Sequence, residues 1–148
     1  MIRILVIHGA GIELRGKVDV ATFGTLTMHD YDMEIQRAST ELQVDVEIFH
    51  STDVNAVISR LESCSRGRID GVIINPAGFT IGYPLLARAI QNTGLPSVEV
   101  HLSNPASRSI VSGIAPSVSG VITGFGVSGY SMAMHGLRDK IQARQSNV

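Results

Sequence analysis

Glu99 and His101 are the residues of this chain whose types and spacing most directly describe chemistry. In an extended segment, residues i and i+2 point to the same face. A carboxylate at 99 can therefore orient an imidazole at 101 and favour its protonated form, which is how a general acid or base is held. A buried polar pair that merely satisfies itself would use the same two residues. Ser103 and Asn104 follow at once, and Asn75-Pro76 ends another apolar run; both can be turn formers or ligand donors. Arg108 and Arg88 carry guanidiniums suited to a carboxylate, although such charges more often sit solvated on helices. His8 is either an acid or base at a strand end or a turn residue. Tyr83 is a conceivable phenol that would more often simply pack, and Glu13 and Asp19 are carboxylates in a charged stretch.

These groups need elements to position them. Ile2 and Ile4–Ile7 form an apolar run that reads as a central strand covered on both faces. Val44–Phe49, Val72–Asn75, the run after Leu95-Pro96 and Val118–Thr123 read as four further strands. Thr27-Met-His-Asp30 has capping-box spacing and predicts a helix to about Leu42, with Ile35, Ala38 and Leu42 on its core face. Asp53 starts a helix carrying Val54, Val57, Ile58 and Leu61, and Pro84 opens another to Asn92. Tyr130 to about Gln142 is expected to close the fold as a helix, with a frayed tail over 143–148. The segment Ile12–Thr25, rich in alternating charge, reads as a mobile loop, and Ser107–Pro116 as a helical turn and loop. Strands alternating with helices imply parallel pairing through right-handed crossovers. The expected architecture is one domain over 1–148: an α/β, flavodoxin-like three-layer sandwich with a five-stranded parallel sheet in order 2-1-3-4-5. Its crevice would form where strands 1, 3 and 4 end, bringing His8, Asn75 and His101 together.

Composition narrows the function classes. Apolar residues make up 44% and charged residues 17%, as in an ordinary globular fold. The 12 basic and 13 acidic residues nearly cancel, leaving no overall field to draw in nucleic acid or an anionic membrane. No run approaches a transmembrane span, and the N-terminal apolar run is too short for a signal sequence. Cys64 is the one cysteine, so no intrachain disulfide is possible and a reduced, cytoplasmic setting is expected. His8-Gly9-Ala10-Gly11 is a weak phosphate motif, which disfavours a nucleotide binder.

Three segments, Asn75-Pro76, Glu99-Val-His-Leu-Ser-Asn104 and Gly124-Phe-Gly-Val-Ser-Gly-Tyr130, resemble in that order the type II 3-dehydroquinate dehydratases. The resemblance implies a lyase that removes water from a cyclic β-hydroxyketone carboxylate through an enolate, without metal or cofactor. It also implies a homo-oligomer built from trimers, commonly a dodecamer. On this resemblance His101 is the general acid and Glu99 its orienting carboxylate. Leu102 and Ser103 hold the substrate carboxylate, Asn75 is a hydrogen-bonding asparagine, and Arg108 is an active-site arginine.

The other half of the pattern departs. The lid tyrosine that takes the proton falls on Phe23, which has no phenolic oxygen. The lid arginine falls on Val18, with Lys17 or Arg15 able to substitute by a register shift, and Gly11 removes an asparagine side chain. Ile81 stands where a substrate-binding histidine belongs, and Arg88 where an aspartate reaches across a subunit boundary. Ser112 falls near the family's last substrate arginine, in a shortened segment. The expectation is therefore an acid–base enzyme with altered substrate or weak dehydroquinase activity on a small carboxylate; a non-catalytic carboxylate binder is the alternative.

Overall fold

The structure, a computed structural model, describes residues 1–147. Its sheet contains β1 (Arg3–His8), β2 (Asp45–His50), β3 (Gly71–Asn75), β4 (Ser97–His101) and β5 (Gly120–Thr123). They lie in the order β2-β1-β3-β4-β5, and every pairing is parallel. The helices are α1 (Val20–Phe23), α2 (Met28–Leu42), α3 (Val54–Glu62), α4 (Pro84–Asn92) and α5 (Ser128–Ser146). None of them is long and apolar enough to cross a membrane.

Alternation along the strands sorts side chains between two apolar layers. Ile4, Val6, Ile73, Val98 and Val100 pack against Tyr31 and Ile35 of α2 and against Tyr130, Met134, Leu137 and Ile141 of α5. Leu5, Ile7, Val72 and Ile74 face Val57 and Leu61 of α3 and Leu86 and Ile90 of α4. This is the flavodoxin-like sandwich expected. The same alternation gives the polar strand ends their directions. His8 shares the face of Ile4 and Val6, and Asn75 that of Ile73, whereas Glu99 and His101 share the opposite face.

Local chemistry starts the helices where the spacing predicts. In α2 the Thr27 hydroxyl accepts from the Asp30 N–H (3.2 Å) while the Asp30 carboxylate accepts from the Thr27 N–H (2.9 Å), closing the capping box. The Thr27 backbone donor holds the Asp30 carboxyl below its ordinary pKa. The Asp53 side chain accepts from the Asn55 N–H at the start of α3, and α4 spans Pro84–Asn92 as expected. Two expectations need correction. α5 begins before Tyr130 and continues through the supposed frayed tail to Ser146; Val148 lies outside the described residues. Ile12–Thr25 is not a simple loop: Ile12–Leu14 makes a 3-10 turn and Val20–Phe23 a helical one, and both Ile12 and Arg15 are buried. An apolar anchor and packing at the sheet end override the charged pattern.

The ends of β1 and β3 are pressed together at Gly9, whose N–H bonds to the Asn75 carbonyl at 2.8 Å. A Cβ there would stand 2.1 Å from the Pro76 carbonyl oxygen. Both atoms in that clash belong to backbone or Cβ, so no side chain can swing away to relieve it. Gly9→Ala is expected to destabilise the fold by about 3 kcal/mol, at the upper end of typical overpacking costs. A lowered denaturant midpoint would register the effect; an unchanged one would show that the two strand ends part freely.

Candidate active site

A cavity of about 400 Å³ opens at the carboxyl ends of β1, β3 and β4. Asn75, His101, Leu102, Ser103 and Arg108 line it from the sheet side, and Arg15, Val18, Asp19 and Phe23 from the segment after β1. Asn75 and His101 arrive from opposite faces of the sheet because they end strands with opposite phase.

On the wall formed by β4, His101 Nε2 lies 2.5 Å from Glu99 Oε2. Glu99 is fully buried and His101 nearly so. The carboxylate makes Nε2 the protonated ring nitrogen and leaves Nδ1 as the one free to exchange a proton. The Ser112 hydroxyl donates to the same Glu99 oxygen at 2.7 Å. Ser112 is itself fixed, its oxygen accepting from the N–H groups of Ile114 (3.0 Å) and Ala115 (3.2 Å). A loop serine thus anchors the carboxylate that anchors the imidazole. Its sequence separation from Glu99 and the irregular backbone around it concealed this contact.

Arg108 ends the short 3-10 turn Pro105–Arg108, and its guanidinium donates to the Ser103 hydroxyl at 3.2 Å. On the other side of the cavity, Arg15 Cζ stands 3.7 Å from the Phe23 ring centroid and Arg108 Cζ stands 5.7 Å from it. Both lie within cation–π range. Two guanidiniums therefore flank one aromatic ring. Val18 and Ile81 add apolar surface beside it.

Residues 2–138 match the sequence model of the family "Dehydroquinase class II". The chain belongs to the class II dehydroquinase family. The 3-dehydroquinate dehydratase of Desulforudis audaxviator is 41% identical over 135 residues, covering 89% of this chain and 89% of that one. Among solved structures, the type II dehydroquinase from Butyrivibrio crossotus superposes with a TM-score of 0.89 at 26% identity, covering 93% and 97% of the two chains. That from Propionibacterium acnes gives 0.87 at 28% identity, covering 93% and 96%.

Within this class II dehydroquinase fold, the sequence-predicted residues divide. Glu99, His101, Asn75, Leu102, Ser103, Arg108, Arg15 and Phe23 converge, with Glu99 lying just behind the cavity wall. Lys17 is exposed and off the cavity, whereas Arg15 lines it. Tyr83 is also outside; its ring packs edge-on against Phe79, with centroids 5.0 Å apart.

Arg88 does not reach the cavity of its own chain. Leu86, Ala89 and Ile90 turn inward on α4, which leaves Arg88 over an outer cleft beside Asn55 and Glu62 of α3. His8 is neither a turn residue nor a cavity group. It is fully buried beneath Tyr31 and Tyr130, with Nε2 2.7 Å from Asp32 Oδ1. Strand phase sends it toward α2 and α5. Asn75 also reaches into this layer, donating to the Tyr130 hydroxyl at 3.1 Å. His50 pairs with Glu13 at 2.8 Å.

The two tyrosines of this layer are fully buried. Burial pushes the pKa of Tyr31 up, although nearby Arg15 opposes the shift without closing a hydrogen bond to the hydroxyl. Burial raises Tyr130 strongly. Neither lines the cavity, and both remain protonated near neutrality. Cys64 is likewise raised by burial and lies among the apolar side chains of the α3–α4 layer. Among the described residues, no three His, Cys, Asp or Glu side chains converge as a metal site would require.

Proposed function

We propose that this family member is a lyase working by acid–base elimination on a small cyclic carboxylate, with altered substrate preference or weakened turnover of 3-dehydroquinate. The observation that carries this reading is the Ser112–Glu99–His101 chain of hydrogen bonds on the wall of a cavity that also holds Arg15 and Arg108. An imidazole with one nitrogen committed to a carboxylate has the other available to protonate a leaving hydroxyl. Ser103 and Arg108, already hydrogen-bonded to each other, are placed to receive the substrate carboxylate. Arg15 adds positive charge where an enolate would develop. Arg88 would act only in a neighbouring subunit's cavity, which fits a homo-oligomer.

A second reading, a carboxylate-binding descendant without turnover, is favoured by Phe23. The family tyrosine falls there and its proton-accepting oxygen is absent. The deciding experiment follows the wild type with 3-dehydroquinate and a panel of cyclic hydroxyketo carboxylates, recording product formation and melting temperature together. Turnover of any member supports the lyase. A raised melting temperature with no turnover of any of them would replace the lyase by the binding protein.

A further inference from the structure

Elimination requires a group that takes a proton from the ring carbon, and the ring of Phe23 cannot do so. The carboxylates near the cavity have separate fates. Glu99 is fully buried and committed to His101 and Ser112. Glu13 is turned toward β2: although burial opposes it, the N–H groups of Glu13 and Gly11 and the His50 side chain hold its carboxyl below the ordinary range. Asp32 is paired with His8 behind the cavity floor. Asp19 alone among them lines the cavity itself.

Its local structure is that of a carboxylate kept free. Asp19 precedes α1 at the position where an aspartate ordinarily caps a helix, yet its side chain makes no capping hydrogen bond. Among the described residues its carboxylate enters no ion pair, although Arg15 and Arg108 line the same cavity. The backbone adopts a left-handed conformation, φ 50° and ψ 39°, which aspartate tolerates better than most residues. The Phe23 N–H bonds to the Asp19 carbonyl at 3.0 Å across the single turn of α1. Asp19 and Phe23 thus bracket that turn, and both line the cavity.

We propose that Asp19 is the base that removes the substrate proton in this chain. The proposal rests on the lyase reading of the site. An Asp19 carboxylate oxygen takes the proton from the carbon next to the ketone, and the C–H electron pair passes into the ring as the ketone becomes an enolate. When the enolate collapses, the C–O bond at the β carbon breaks and His101 protonates the departing oxygen, releasing water. Asp19 then holds one proton more and His101 one fewer, and exchange with solvent restores both. A carboxylate is intrinsically a weaker base than a phenolate. Turnover is accordingly expected to be slow.

The test compares the wild type, Asp19→Asn and Asp19→Asn/Phe23→Tyr in deuterated water, using 3-dehydroquinate and the same panel. Deuterium entering the substrate is followed by mass spectrometry and product by absorbance. With any substrate that the wild type turns over, Asp19→Asn should lower both exchange and kcat by about 10²-fold or more. The double variant should regain both with 3-dehydroquinate, which also shows that a chain without the Asp19 carboxylate folds. An Asp19→Asn protein that keeps wild-type exchange and kcat overturns the assignment of Asp19 and leaves the lyase reading standing. A wild type that binds but neither exchanges nor dehydrates any member overturns the lyase reading, and the assignment falls with it.

Discussion

Phe23→Tyr is expected to raise the turnover of 3-dehydroquinate by about 10²-fold, the lower end of the roughly 10²–10⁴-fold that a positioned base contributes. The new hydroxyl would extend from a ring flanked by Arg15 at 3.7 Å and Arg108 at 5.7 Å. Cations so near favour the phenolate, lowering the phenol's pKa toward neutrality and making it a competent base. The gain is set below the maximum because a carboxylate already performs the step in the proposed wild-type site. It should appear in kcat, with KM little changed, since the ring keeps its place and only the proton-accepting atom is added. Steady-state kinetics on the two proteins decide it. No increase in kcat would mean that Val18 and Ile81, apolar where the family resemblance has an arginine and a histidine, no longer seat the substrate ring beneath the lid.

His101→Ala is expected to abolish turnover of any substrate the wild type accepts, a loss of about 10²–10⁴-fold or more. It removes the group proposed to protonate the leaving oxygen, and among the described residues no other imidazole lines the cavity. The variant also leaves Glu99 fully buried with Ser112 as its remaining partner. Breaking a buried pair in this way costs about 3–5 kcal/mol of stability, so the melting temperature should fall and must be recorded beside the activity. Glu99→Gln separates the two effects, because the amide keeps the shape and a hydrogen-bonding oxygen while giving up the charge that orients the imidazole. A folded Glu99→Gln protein with reduced kcat, together with an inactive His101→Ala, would support the arrangement. Turnover that survives His101→Ala unchanged would remove His101 from the chemistry.

The sheet was legible because its determinants are local. Each strand is an apolar run, each connection contains a periodic helix, and parallel order follows from that alternation. The same period-two rule held information about direction: Ile4, Val6 and His8 share one phase, and that phase takes His8 behind the cavity floor to Asp32 rather than into the cavity. Arg88 could be placed on a helix, but which side it faced depended on how α4 lies against α3. Ile12–Thr25 reads as a mobile loop because its charges dominate its composition, whereas Ile12 and the ring stacking of Arg15 determine how it packs. Ser112 was least legible of all. It sits in an irregular stretch where no periodicity operates, and only the folded return of that stretch beside β4 brings it to Glu99.

The placement of the two proposed proton-transfer groups has a consequence for how this site can diversify. His101 is part of a β4 strand that is buried along its length, so a substitution there disturbs the core and the chemistry together. Asp19, Phe23 and Val18 lie on a partly exposed excursion between β1 and α2, where side chains can be exchanged at little cost to folding. Descendants of such a protein can therefore sample new bases and new ring-contacting surfaces while inheriting the acid unchanged. Innovation would accumulate in one half of the catalytic centre, and the buried scaffold would carry the other half forward.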